Sequence, residues 1–465
     1  MPARRKVAVI GWDCATPQLI FGPHLDAMPN LKRLIGEGVY GRMRSSDPPI
    51  TVPAWTSMMT GVDAGALGLY GFRNRKDYTY DGLEFATSHS VKRDRVWERL
   101  GREALRSIVV GVPQTYPPKP FNGDLVTSFL TPSIESPYTH PAGLKDEIVR
   151  VLGEPYMLDV EGFRTDDKQS IIDQCTRMTE QRTRLAEHLL AHHPWDFFMM
   201  VEMGPDRLYH GLWSFTDPEH PKYEAGNPFE NAIRDYHAYL DACLGRLLAA
   251  VGEETVVFVV SDHGAKKMDG GICVNEWLMA NGWLALAGPP PVEPTPFSKC
   301  RVDWSRTRAW GEGGYYARVF LNVRGREPHG LIPEAAYDTV RDELAEALAA
   351  IPDNRGNPIG TRVLKPEEVY PIRNGIPPDL IVYWGDLGWR SVGSVGMGAI
   401  HTFENDIGPD DANHDYDGIF VMRDPDRPGG GRELEALHLR DVAPTILGLY
   451  GLEPEPDVQG RRIIF

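Results

Sequence analysis

Short apolar runs recur along the chain, and several end abruptly on a polar residue. They read KVAVIGWD from Lys6, SIVVGVP from Ser107, DFFMMVEM from Asp196, TVVFVVSD from Thr255, YARVFLNV from Tyr316, DLIVYW from Asp379 and GIFVMRD from Gly418. Most lack polar–apolar alternation, which predicts strands buried on both faces, as in a parallel sheet. Between them lie segments with apolar residues three and four apart: MPNLKRLIGEG, SIIDQCTRMTEQRTRLAEHLLAHH and FENAIRDYHAYLDACLGRLLAAVG. These predict helices, the last stopping at Gly252. Strand alternating with helix implies a doubly wound, mostly parallel α/β sheet with helices on both faces. Ligands in such sheets gather beyond the carboxyl ends of the strands.

The 465 residues are read as one catalytic domain, with segments 131–166 and 282–315 as cap or lid insertions; the second begins irregular and proline-rich. A formal net charge of −16 argues against a nucleic-acid polymer as partner, since such proteins present a basic face. A small anionic substrate is compatible with that charge if metal ions supply local cations. Five cysteines are scattered without zinc-site spacing, the N-terminus carries too short an apolar run for a signal peptide, and no window reaches membrane-spanning length. The expectation is a cytoplasmic protein without a membrane partner.

The polar residues at the strand ends change the picture most. Asp13 closes the first run, Asp206 and His210 follow the DFFMMVEM run four residues apart, Asp262 and His263 close TVVFVVSD, and His414 precedes GIFVMRD. Singly, each has an ordinary reading: Asp13 as a turn or cap residue, Asp206 and His210 as a solvated helix face, Asp262-His263-Gly264 as a turn, and His414 no better than the nearby His401. Together, three aspartates and three histidines at strand or helix lips suit Zn²⁺ or Mn²⁺, in number enough for two ions. In SSDPPITVPAWTSMMTG, Pro53 fits a first helical turn, so Thr51 falls at a helix N-terminus where free amides and the helix dipole favour an anion. There it could act as a metal-activated nucleophile or simply cap the helix.

With these pieces in order, the chain resembles the alkaline phosphatase superfamily, specifically its type I phosphodiesterase / nucleotide pyrophosphatase branch. The stretches that carry the resemblance are VIGWDCATP, PPITVPAWTSMMTGV, VVGVPQTYPP, VEMGPDRLYHGLW, VVSDHGAKK, NHDYDGIFVM and HLRDVAPTILGLYGLEPEPDVQGR, which span nearly the whole sequence. The resemblance implies two divalent ions, usually zinc, one among Asp13, Thr51, Asp262 and His263 and the other among Asp206, His210 and His414. It implies hydrolysis of a small phosphodiester or phosphate ester through a phospho-threonine at Thr51. His414 matches an H-x-x-x-G pattern before a strand that His401 does not. Two departures stand out: Ala54 where nucleotide pyrophosphatases have Asn, and Leu67 where relatives often carry His.

Other readings are a cofactor-independent phosphomutase, a phosphonate hydrolase, and a metal-stabilised binding protein without turnover. A sulfatase would need a Cys/Ser-x-Pro-x-Arg signature, which TVPAW lacks, and a Rossmann dehydrogenase would need Gly-x-Gly-x-x-Gly after the first strand.

Overall fold

The computed structural model describes residues 5–465. The strands that position the site are β1 (Val7–Trp12), β2 (Val39–Arg44), β3 (Ser107–Val110), β4 (Gly123–Val126), β5 (Phe197–Glu202), β6 (Val256–Val260), β7 (Gly264–Lys267), β8 (Ala412–Asp415) and β9 (Asp417–Arg423). The helices that matter here are α1 (Pro29–Glu37), α2 (Thr51–Thr60), α3 (Leu144–Leu152), α4 (Lys168–His192), α5 (Gly204–Thr216) and α6 (Ala232–Val251).

The central sheet runs β2-β9-β6-β1-β5-β3-β4, extended at its two ends by short strands. From β6 through β4 every pairing is parallel, whereas β9 lies antiparallel to both β6 and β2. The sheet is therefore mixed, with a parallel middle flanked by helices. All residues of β1, β3, β5 and β6 are buried, as their unbroken apolar runs predict. The parallel register puts the carboxyl ends of β6, β1 and β5 side by side, so Asp13 and Asp262 emerge together and α5 starts two residues beyond β5.

Two runs buried as expected lie elsewhere. Ala317–Leu321 and Leu380–Tyr383 pair antiparallel in a separate four-stranded sheet with Ala309–Glu312 and Arg362–Leu364. Its strands are apolar on both sides for a definite reason. Leu380 and Val382 join a cluster with Leu344 and Leu348 of a covering helix, while Ile381 and Tyr383 pack with Ile50 and Tyr70 beside α2. Unbroken hydrophobicity reports two covered faces; it does not say which sheet the strand belongs to. This second sheet thereby buttresses the loop that delivers Thr51.

Segment 131–166 contains the short strand Thr139–His140, which pairs with β4, then α3, and then a stretch that brings Asp159 and Arg164 back towards the site. Segment 282–315 supplies the Ala309–Glu312 strand of the second sheet and ends at Tyr315, which stacks on the site histidines. One close approach fixes the middle: a Cβ at Gly11 would lie 2.5 Å from the ring of Trp55, so only glycine lets that indole settle against β1.

Candidate metal centre

All seven residues singled out in the sequence converge, and all are buried. Asp13 extends from β1, Asp262 and His263 bridge β6 and β7, Asp206 and His210 share one face of α5 a turn apart, and His414 lies on β8. β8 pairs with β7 so that His414 is opposite Ala265, which brings His414 over His263 with ring centroids 3.9 Å apart. His401, by contrast, bonds the Pro352 carbonyl outside this cluster.

Each imidazole has its tautomer fixed from behind. His210 Nδ1 donates to Asp410 Oδ1 at 2.7 Å, His414 Nδ1 to the Pro49 carbonyl at 2.8 Å, and His263 Nδ1 to the Gly264 carbonyl at 3.1 Å. Every Nε2 is thereby left facing inward. His210 Nε2 lies 3.3 Å from His414 Nε2 and 3.3 Å from Asp206 Oδ1; His263 Nε2 lies 3.2 Å from Asp262 Oδ2 and 3.9 Å from Asp13 Oδ1. Thr51, the first residue of α2, places Oγ1 3.3 Å from His263 Nε2.

This arrangement collects more acceptors than donors. Asp13 Oδ2 accepts from Trp55 Nε1 at 2.7 Å and Asp262 Oδ1 from the Cys14 amide at 3.2 Å, but Asp13 Oδ1 and Asp262 Oδ2 are buried without a hydrogen-bond partner. An unpaired buried carboxylate oxygen is costly. Burial, reinforced by the neighbouring charge of Asp206 for Asp13 and of Asp13 for Asp262, pushes both carboxyl pKa values well above the usual range. Burial drives the His263 pKa down to about 4 and holds that of His414 well below its ordinary value. At His210 burial is outweighed by Asp410 and Asp206, which raise its pKa to about 9, and at Asp206 burial is outweighed by His210 and Arg207, which lower it. Such a set of lone pairs needs positive charge between its members, either protons or cations. Orphaned oxygens, inward-facing imidazole nitrogens and histidines oriented by a carboxylate or carbonyl are the donor chemistry of divalent ions; these residues fit them.

Several site residues escape a reading of the sequence. Asp410 orients His210 from 200 residues away, and Tyr315 stacks on His210 and His414 at 4.7 and 4.2 Å while its hydroxyl donates to Asp410 Oδ2 at 3.1 Å. Arg164 bonds the same oxygen, and Arg207 bridges Asp206 to Asp159. Asp410 stands four residues before His414 in an acidic run, a spacing that could have drawn attention; Tyr315 and Arg164 leave no signal. Cys14 adopts φ 64°, a backbone region costly for a side-chain-bearing residue, and its thiol lies within 4.8 Å of donor atoms of Asp206, His263 and His414. Ala54 is wholly buried inside α2 and offers no polar atom.

A mixed sheet with acidic and histidine side chains at its carboxyl edge and a threonine at a facing helix N-terminus defines an alkaline phosphatase-like hydrolase. The profile of the type I phosphodiesterase / nucleotide pyrophosphatase family matches residues 7–417, and the chain belongs to that family. No curated protein sequence matches it. Among solved structures, it is similar to phosphonoacetate hydrolase of Sinorhizobium meliloti 1021 in complex with phosphonoacetate (15 % identity, 96 % of this chain and 95 % of that one, TM-score 0.62). It is also similar to an inactive, threonine-to-alanine form of murine ectonucleotide pyrophosphatase / phosphodiesterase 5 in complex with AMP (14 % identity, 97 % and 96 %, TM-score 0.57). The human counterpart is 15 % identical over 97 % of this chain and 96 % of that one, also with TM-score 0.57. The protein is thus an enzyme of the type I phosphodiesterase / nucleotide pyrophosphatase family.

Proposed function

We propose that the enzyme hydrolyses a small phosphodiester or phosphate ester in two displacements, with Thr51 Oγ1 as the nucleophile. The observation that carries this reading is the position of that hydroxyl, 3.3 Å from His263 Nε2, at the rim of a buried donor cluster with two orphaned carboxylate oxygens. Asp13, Thr51, Asp262 and His263 would hold one divalent cation, most simply Zn²⁺ or Mn²⁺, and Asp206, His210 and His414 the other. Bound there, the cations supply Lewis acidity that makes the threonine hydroxyl a better nucleophile and neutralises charge on the phosphoryl and leaving oxygens.

The chain's own groups do the rest. Trp55 and the Cys14 amide hold Asp13 and Asp262 in place, and Asp410 and the Pro49 carbonyl keep His210 and His414 in the Nδ1–H form. Thr51 Oγ1 forms the new bond to phosphorus as the bond to the leaving oxygen breaks. Pro53 carries no N–H, so the free amides of the first turn of α2 come from Thr51 and Val52, and they favour the growing negative charge. Water then cleaves the threonine ester, releasing phosphate or its monoester and restoring the hydroxyl. Two inversions predict net retention at phosphorus.

The threonine-to-alanine change in the inactive murine neighbour supports the assignment of Thr51. Because the phosphonoacetate hydrolase aligns over nearly the whole chain, cleavage of a phosphonate is the second reading. The test is hydrolysis of bis-p-nitrophenyl phosphate, p-nitrophenyl phosphate and phosphonoacetate by wild type and Thr51→Ala. Diester or monoester turnover lost in the variant supports the proposal. Phosphonate cleavage alone favours the second reading, and full activity of Thr51→Ala rejects the nucleophile.

A further inference from the structure

A second convergence of imidazole and carboxylate groups lies at the opposite edge of the central sheet, by the amino ends of β4 and β5. Glu147 comes from α3, His188 from near the end of α4, His193 from the link into β5, and Asp124 from β4. Glu147 Oε1 is 2.8 Å from His188 Nε2 and 3.0 Å from His193 Nε2, and one donor atom from each of the three residues lies within 4.8 Å of the others. Behind His193, its Nδ1 faces Asp124 Oδ2 at 3.1 Å, and Asp124 is nearly buried.

We infer that Glu147, His188 and His193 form a binding site for a transition-metal dication of the Zn²⁺ type, separate from the Thr51 centre. Asp124 accepts the Nδ1 proton of His193, so Nε2, which donates to Glu147 in the metal-free fold, is the nitrogen that gives up its proton when a cation binds between them. A carboxylate behind a histidine whose far nitrogen faces other donors is the supporting arrangement of metal-bound imidazoles. Two nitrogens and one oxygen make a three-ligand set, and side-chain exposures of 20–25 % leave the fourth tetrahedral position to water. Tetrahedral bonds of about 2.0–2.1 Å separate neighbouring donors by about 3.4 Å, so the present contacts need to open by only about half an ångström. The groups approach from three different elements, so the cation acts as a clip joining α3 and the end of α4 to the sheet. Its consequence is structural: α3 belongs to the segment that returns Asp159 and Arg164 to the catalytic edge.

This site does not depend on the proposed chemistry and is tested apart from it. Holoenzyme is dialysed against micromolar Zn²⁺, and zinc per chain is counted by native mass spectrometry for wild type and His188→Gln. Wild type is expected to hold one more zinc than the variant and to gain a zinc-dependent rise in Tm that the variant lacks, with hydrolase activity equal in both. Asp124→Asn keeps all three ligands and should weaken the extra zinc about 10–100-fold. A measurement on wild type alone completes the test: zinc should shield His188 and His193, but not the neighbouring His192, from carbethoxylation mapped by peptide mass spectrometry. Equal zinc counts, unchanged affinity in Asp124→Asn, or no shielding of His188 and His193 would overturn the site.

Discussion

Two buried polar clusters of this enzyme contrast sharply. In the second sheet, Asp379 takes a bidentate pair of bonds from Arg326 at 2.8 Å each, a third from the Leu321 amide at 2.7 Å and a fourth from the Tyr337 hydroxyl at 2.6 Å. Glu327 beside it accepts from Arg75, Arg326 and the Val323 amide. Each carboxylate there is matched by cations and donors from the chain itself. At the carboxyl edge of the central sheet, Asp13, Asp262 and three histidines face one another with two oxygens left over. The first cluster is complete as folded and serves architecture. The second leaves carboxylate oxygens and inward-facing imidazole nitrogens unmatched, which marks it as the candidate place of chemistry.

Substitutions should separate the two clusters. The largest effect belongs to Thr51→Ala, expected to lower kcat by about 10³-fold or more while metal content measured by mass spectrometry stays near wild type. Asp379→Asn should do the reverse, costing about 3–5 kcal/mol of stability by leaving Arg326 under-paired, read from urea unfolding, with kcat of the folded fraction nearly unchanged. Asp262→Asn sharpens the contrast further. It should abolish activity yet raise Tm in the presence of chelator, because it removes one of the mutually repelling buried carboxylates. Since burial raises the pKa values of Asp13 and Asp262, chelation near neutral pH should be accompanied by proton uptake, measurable in weakly buffered solution.

A smaller effect concerns acid. His24 and His237 share a 2.8 Å Nδ1–Nδ1 hydrogen bond, which requires at least one neutral ring. Burial lowers the His24 pKa to about 4 and that of His237 well below its ordinary value. The unfolded chain takes up these protons near pH 6.5, so it binds more protons than the fold between there and about pH 4, and stability falls as pH falls through that window. The drop in urea midpoint between pH 7 and pH 5 should shrink in His24→Asn.

How far the sequence foretold this arrangement depends on the range of each interaction. β1, β5 and β6 and the polar residues that end them were legible because local hydrophobic pattern and strand ends are written in consecutive residues. The pairing of Asp206 with His210 was legible because a helix turns every 3.6 residues. Membership of Leu380–Tyr383 in a second sheet was not, since burial on both faces looks the same whichever sheet provides it. Nor were Asp410 and Tyr315, whose roles come from contacts with His210 across 200 and 105 positions that no local pattern encodes.

The most direct test is an anomalous-difference map from crystals of the enzyme grown with Zn²⁺ or Mn²⁺, collected on both sides of the metal absorption edge. The account predicts two adjacent peaks at the catalytic edge, one touching Asp13, Thr51, Asp262 and His263 and the other Asp206, His210 and His414. A map with no peak there, or with Thr51 Oγ1 turned away from the ion, would contradict it.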